Sequence, residues 1–245
     1  MINEYKRVFG YSLDFYLKKV AMLAFFAIPF VIAVIIALLV SNQTYLASGA
    51  PFLRTESLSE LSITDIIVAV AAYVIIMFII SSTIVNINII VRSRRTLTDT
   101  TTEMINAMKS HAIRIFYIST LAVLIMFIIQ LVTYDLPFRT WIYPILMLVF
   151  FFFISFSFPA VVIDNASTGS ALEYSVRFAL SKPLMVIAWM LTGVILLLVV
   201  MIIAYLLFPS PYWQYLVMLL NSIIILPFLL VLQTQMYMEK YPLAR

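Results

Sequence analysis

"LMVIAWMLTGVILLLVVMIIAYLLF", residues 184–208, is a run of 25 residues without a single charged side chain. A bilayer core about 30 Å thick requires roughly 20 apolar residues in a helix. The run therefore predicts a membrane-spanning helix. The strands of a membrane β-barrel would instead show shorter stretches of alternating hydrophobicity.

Runs of this kind recur along the chain, and they predict spans at 20–40, 66–91, 115–134, 140–163, 184–208 and 212–238. The composition agrees, because 64% of the residues are hydrophobic and 11% are charged, against roughly 45–50% and about 25% in soluble domains. We expect an all-α, polytopic integral membrane protein with six transmembrane helices. Residues 1–245 would form a single membrane domain.

The basic residues predict how the spans are oriented. Of the 15 Lys and Arg residues, all but Arg54 and Arg139 fall on the same side of the predicted spans. By the positive-inside rule this bias predicts a multi-pass protein of the cell membrane with both termini in the cytoplasm. Span one is too long for the apolar core of a signal peptide and lacks a small-residue cleavage site, so we expect it to be retained.

The same charge distribution bears on partners. The basic residues are spread over several membrane boundaries rather than gathered into one patch, which argues against nucleic acid as a partner. Membrane lipids are the expected partner, since basic boundaries lie well against anionic headgroups. A protein partner or a second copy of the chain remains an alternative.

Amphipathic segments precede spans one, three and five. The apolar stripe of the first contains Val8, Ser12 and Tyr16, and that of the third contains Leu172, Val176 and Ala179. The second and third each begin with a capping-box pattern, Thr100-x-x-Glu103 and Ser170-x-x-Glu173. We predict three cytoplasmic amphipathic interfacial helices and three related hairpin units, approximately 1–97, 98–163 and 164–245. These helices would lie on lipid or pack against the bundle.

The segment that joins spans four and five, "FPAVVIDNASTGSALEYSVRFALSKP", is the most patterned polar stretch, and we call residues 158–183 the elbow. Glu173 and Arg177 are spaced for an i,i+4 ion pair in the favourable order. Asp164 and Asn165 are typical of a turn, and nothing else in the sequence explains them. The candidate residues of the elbow are Asp164, Asn165, Ser170, Glu173 and Arg177.

The elbow resembles a segment of a bacterial and archaeal family of six-helix membrane proteins, which includes the membrane regions fused to some glycerophosphodiester phosphodiesterases. The likeness rests on Pro159, the Asp164-Asn165 turn, Ser170-Ala171-Leu172, Ser175 and the Lys182-Pro183 entry to span five. The resemblance implies a helical bundle associated with lipid. It does not imply phosphodiesterase activity, because one histidine cannot supply the paired histidines of that catalytic domain.

Neutral polar residues lie within the spans, whereas every charged residue lies at or beyond a span end. The neutral polar residues either form interhelical hydrogen bonds or line a path for a lipid-like or small neutral molecule. We also expect serine hydroxyls near Pro159 to bond carbonyls that this proline frees. The candidates for the polar path or the contacts between helices are Asn86, Asn88, Asn221, Gln130, Ser155 and Ser157.

Signatures of catalysis are scarce. The chain has no cysteine and only four glycines, and it contains no metal-binding histidine pair, nucleophile elbow or phosphate loop. We therefore predict no catalytic site, no metal and no cofactor, and a non-enzymatic membrane protein that handles lipid or a small neutral molecule, or serves as a partner subunit. The alternatives are an enzyme at the cytoplasmic interface that uses His111, Asp164 or Glu173, and a scaffold that docks a soluble partner.

Overall fold

A computed structural model of the chain describes residues 2–39, 63–96, 100–134, 136, 138–208 and 212–239. Every regular element in these residues is a helix. The helices are α1 (Ile2–Lys18), α2 (Val20–Leu39), α3 (Ile63–Thr96), α4 (Thr100–Thr133), α5 (Arg139–Ile154), α6 (Ser157–Ile163), α7 (Thr168–Ser181), α8 (Pro183–Leu207), α9 (Tyr212–Leu220) and α10 (Leu226–Met238), with a π-helical segment, Asn221–Ile225, between the last two.

The predicted membrane fold is confirmed. Within the described residues, five stretches are long and apolar enough to cross a membrane, and the bent pair formed by α1 and α2 would make a sixth span. The five are Ile67–Ser93, Ser110–Thr133, Thr140–Ile163, Pro183–Leu207 and Tyr212–Met238. Each lies within a few residues of a predicted span. Span four consists of two helices, α5 and α6, and span six passes through the π-helical segment.

The packed core surrounds one half of span six. Every residue of α10 from Leu230 to Met238 is buried, and α10 packs against α1, α3, α6 and α8. Gly193 of α8 permits a close approach there, since a Cβ at this position would meet Leu229 Cδ1 at 3.1 Å. Much of the remaining helix surface is apolar and exposed, as expected of helices whose solvent is lipid.

The first amphipathic segment packs on this core. Helix α1 meets α2 at an angle of 87°, so it crosses the bundle end when α2 spans the membrane. Its buried side chains include Val8, Ser12, Phe15 and Tyr16, and the rings of Phe9 and Tyr16 contact Phe228 of α10 edge to face. One face of α1 therefore packs against the bundle rather than lying on lipid.

Polar contacts hold α1 at the same place. Lys182 Nζ, at the entry to α8, donates to Glu4 Oε1 at 2.7 Å. Arg7 pairs with Glu239 beyond the end of α10. The Tyr5 hydroxyl shares a hydrogen bond with Thr192 Oγ1 at 2.5 Å. The Lys182 ammonium also lowers the pKa of the Glu4 carboxyl below its usual value, because it favours the ionised form.

The other two amphipathic segments differ from expectation. The second is not a separate helix, because α4 runs without interruption from Thr100 into span three. The third is the separate helix α7, but its buried face is formed by Ala171, Ser175, Phe178 and Ala179. Val176, placed on the apolar stripe by the sequence, is 39% exposed. The helix is rotated from the expected orientation because Ser175 points inward to bond the backbone of span four.

Candidate functional site

The elbow begins at a break in span four. Pro159 has no N–H, so the carbonyl of Ser155, four residues earlier, loses its helical donor. In the structure Gln233 Nε2 of α10 donates to this oxygen at 2.7 Å. Ser175 of α7 donates to the neighbouring carbonyl of Phe153 at 2.5 Å. Two other helices therefore supply the hydrogen bonds that the broken helix lacks.

The serine hydroxyls near Pro159 have a more local role. Ser155 Oγ donates to Phe151 O, and Ser157 Oγ donates to Ile154 O at 2.7 Å. Both serines are buried, and both bond the end of α5. The carbonyl that Pro159 frees is bonded by Gln233, which is not among the candidate residues predicted from the sequence.

The turn after α6 binds α10 a second time and adds two further helices, α3 and α4. Tyr237 of α10 donates its hydroxyl proton to Asp164 Oδ2 at 2.5 Å. Arg92 of α3 donates to the carbonyl of Val162 at 3.0 Å. Asn165 has a φ of 51°, a left-handed conformation that asparagine adopts more readily than most residues. Asp164 and Asn165 thus have a structural role beyond the turn itself.

Arg114 of α4 completes the set of contacts to this turn. Its Nη1 donates to Asn165 O at 3.0 Å, to Asn165 Oδ1 at 2.8 Å and to Ala166 O at 3.2 Å. All three acceptors are neutral oxygens. Helices α3, α4, α7 and α10 consequently meet at residues 153–166, which form the hub of the bundle.

The other candidates of the elbow lie on α7. The N-cap of this helix is Ser167, whose Oγ accepts from Ser170 N at 3.3 Å. The prediction that Ser170 is the cap is therefore wrong, because the left-handed turn at Asn165 lets the helix begin three residues earlier. Glu173 and Arg177 do form the expected ion pair, 2.9 Å apart and well exposed. The side chains of Thr100 and Glu103, in the other predicted capping box, lie outside the described residues.

The two asparagines of span two differ sharply. Asn88 is fully buried, donates to Ile84 O at 2.7 Å and accepts from Thr234 Oγ1 of α10 at 2.6 Å. Asn86 points elsewhere, since two residues turn a helix by roughly 200°. The oxygen of its amide is buried and has no hydrogen-bond donor among the described residues.

The two remaining path candidates lie apart from the hub. Gln130 is 16 residues along α4 from Arg114, a rise of about 24 Å, and its amide oxygen is also buried without a donor among the described residues. Asn221 is partly buried and opens the π-helical segment of span six, where Tyr16 of α1 donates to Ile224 O at 3.2 Å. The six candidates therefore do not form one continuous cluster.

The residues of the enzymatic alternative lie in three different parts of the fold, in α4, in the turn after α6 and in α7. His111 is buried in α4 with Ser110 Oγ 3.4 Å from its Nδ1. Asp164 is bonded to Tyr237, and Glu173 is exposed beside Arg177. The described part of the chain contains no group of three or more His, Asp or Glu residues placed to hold a metal ion.

Comparison of the chain with protein-family models, with curated proteins and with solved structures gives no match. The resemblance to the six-helix membrane family stays a prediction from the elbow and the topology.

Proposed function

We propose that this multi-pass membrane protein is not an enzyme and that it holds an uncharged molecule, lipid-like or small, between its spans. The observation that carries the proposal is a set of buried amide oxygens that have no hydrogen-bond donor among the described residues. They belong to Asn86, Gln130 and Gln233, and Gln233 is only 2% exposed.

An oxygen of this kind is costly to leave unpaired. Burying a polar group without a hydrogen bond costs about 1–3 kcal/mol, and lipid offers no donor in exchange. An amide oxygen only accepts, so the complementary molecule must present an O–H or N–H group. The charged residues lie at or beyond the ends of the spans, which favours an uncharged molecule over an ion.

The other candidates have a different role in the proposal. Asn88, Ser155 and Ser157 have their hydrogen bonds within the protein. We assign them to the contacts that hold the helices in place. The molecule would contact one or more of the unpaired oxygens.

The test uses two single variants, Asn86→Leu and Gln130→Leu, each purified from membranes under mild conditions. Native mass spectrometry of the parent protein should show a co-purified uncharged molecule, and both variants should lose at least part of it. Their melting temperatures should stay equal or rise, because an unpaired acceptor has been removed. Gln214→Leu is the matched control, since Gln214 is an exposed amide of span six.

Two results of this experiment would count against the proposal. One is a parent protein that carries nothing but the phospholipids carried equally by both variants. The other is a large loss of stability in Asn86→Leu and Gln130→Leu, which would mean that these amides bond the protein itself. Single ordered waters at the three oxygens would likewise replace the proposed molecule.

A further inference from the structure

Arg114 differs from four other basic residues of the chain in the charge of its partners. Arg7, Lys18, Arg177 and Lys182 each form an ion pair with a carboxylate. Within the described residues, the contacts of Arg114 are hydrogen bonds to the neutral oxygens of Asn165 and Ala166. It forms no ion pair with a carboxylate of the described residues.

The geometry of these contacts leaves part of the guanidinium for another partner. A guanidinium carries five N–H donors in a planar fork. All three hydrogen bonds to the elbow are made by Nη1. The donors on Nη2 and Nε are not used in these contacts, and an Arg fork is well suited to bind two oxygens of one phosphate.

The surroundings of Arg114 place it at the edge of the lipid. Five apolar or aromatic side chains follow helical spacing along α4 and are between 39% and 58% exposed, namely Ile113, Tyr117, Leu121, Leu124 and Ile128. Such a stripe on a spanning helix faces acyl chains. Arg114 flanks its first turn, at the end of the span that is predicted to be cytoplasmic. Anionic headgroups of the cytoplasmic leaflet occupy this level.

We propose that Arg114 binds the phosphate of an anionic phospholipid whose acyl chains lie along the α4 stripe. One guanidinium nitrogen would hold the elbow while the others hold the headgroup. The lipid would thus be fixed to the hub of the bundle. This site is separate from the unpaired amide oxygens, so it stands or falls independently of the proposed interior molecule.

The binding test titrates delipidated protein in detergent with phosphatidylglycerol, followed by native mass spectrometry. Arg114→Gln should weaken binding at least about tenfold, the loss expected when a charge-assisted hydrogen-bonded pair is removed. Arg177→Gln, which removes an exposed arginine already paired with Glu173, should change binding less than twofold. Equal effects of the two substitutions would overturn the proposal.

Two further measurements show what the titration result means. Arg114→Lys retains the charge and a donor for the elbow, and it should bind phosphatidylglycerol more weakly than the parent because it lacks the fork. If inorganic phosphate at equal concentration displaces the lipid completely, the site recognises free phosphate and the proposal fails.

A measurement on the unaltered protein covers the case in which Arg114→Gln does not fold. Photoactivatable phosphatidylglycerol should label peptides that contain residues 110–124 more strongly than peptides from α8, whose lipid-facing surface is larger. Labelling in proportion to exposed surface would contradict a specific site.

Discussion

At the scale of single residues, Gln233 compensates for the hydrogen bond that Pro159 removes. The proline breaks span four and leaves the carbonyl of Ser155 without its helical donor. The glutamine, from the buried half of span six, donates to that carbonyl. A glutamine in an apolar span is costly unless it is bonded, so the pair accounts for both residues.

A double-mutant cycle tests this pairing. Gln233→Leu should lower the free energy of unfolding by about 1 kcal/mol, the usual net contribution of a buried hydrogen bond to stability. Pro159→Ala restores an N–H that reaches Ser155, so the cost of Gln233→Leu should largely vanish in that background. The measurement is unfolding in mixed micelles, with Gln214→Leu as the exposed control. An equal cost in both backgrounds would refute the pairing.

The sequence could predict one side of this pair only. Pro159 in an apolar run implies a free carbonyl nearby, and the two neighbouring serines are the obvious local donors. Gln233 lies 78 residues along the chain from Ser155, and nothing local connects it with Pro159. The N-cap at Ser167 could not be predicted from the sequence for a related reason, since the left-handed turn that sets the start of α7 is a property of the folded hub.

At the scale of elements, α1 is the clearest case of an amphipathic helix with two environments. Phe15 is 1% exposed and packs in the core, whereas Leu17, two residues on, is 63% exposed. Exposed Lys18 and Lys19 follow at the same end. One face of α1 is therefore part of the bundle, and the other lies where headgroups and lipid are expected.

The two faces of α1 predict unequal costs of truncation. Phe15→Ala should destabilise the protein by about 3–5 kcal/mol, because it leaves a cavity in the packed core. Leu17→Ala should cost less than about 1 kcal/mol, because lipid or detergent can fill the space. Thermal unfolding in one detergent compares the two directly. Similar losses would mean that α1 does not pack as described.

The ion pair between Glu4 and Lys182 makes the attachment of α1 depend on pH. Lys182 lowers the pKa of Glu4 in the folded protein. The pair therefore stabilises the fold above the ordinary glutamate pKa of about 4.3, and the contribution is lost as the pH falls through the lower, folded value. Melting temperatures from pH 7 down to pH 3.5 should fall more steeply in the parent than in Glu4→Gln. Parallel curves would contradict this role.

Helical periodicity predicted the elements better than their orientation. The existence and bounds of the spans follow from the length of apolar runs, which the bilayer sets. The rotation of α7 about its axis does not follow from the length of apolar runs. A small polar residue, Ser175, points inward to a free carbonyl while Val176 faces outward. The second amphipathic segment is continuous with span three since no proline or left-handed residue interrupts α4.

At the scale of the whole molecule, the fold is a set of spans joined at one end by hydrogen bonds to residues 153–166. Four helices contribute side chains to that hub, and α1 crosses the same end of the bundle. The bias of basic residues predicts that this end faces the cytoplasm.

The orientation is directly measurable, because the native chain has no cysteine. Gly169→Cys on α7 should react with a membrane-impermeant thiol reagent only from the cytoplasmic side. A Cβ at position 169 meets nothing within 4 Å, so the substitution should be tolerated. Ser48→Cys, at a position between predicted spans one and two, should react only from outside. The reverse pattern would overturn the predicted orientation.

We propose that unpaired amide oxygens inside the spans bind an uncharged molecule, and a cryo-EM structure in a lipid nanodisc would show that molecule in place. We expect density larger than a water molecule within about 3.5 Å of the amide oxygen of Gln130 or Asn86, a distance at which the bound molecule would be hydrogen-bonded. Amide oxygens that instead accept hydrogen bonds from the protein's own side chains, or that are met only by single waters, would contradict it.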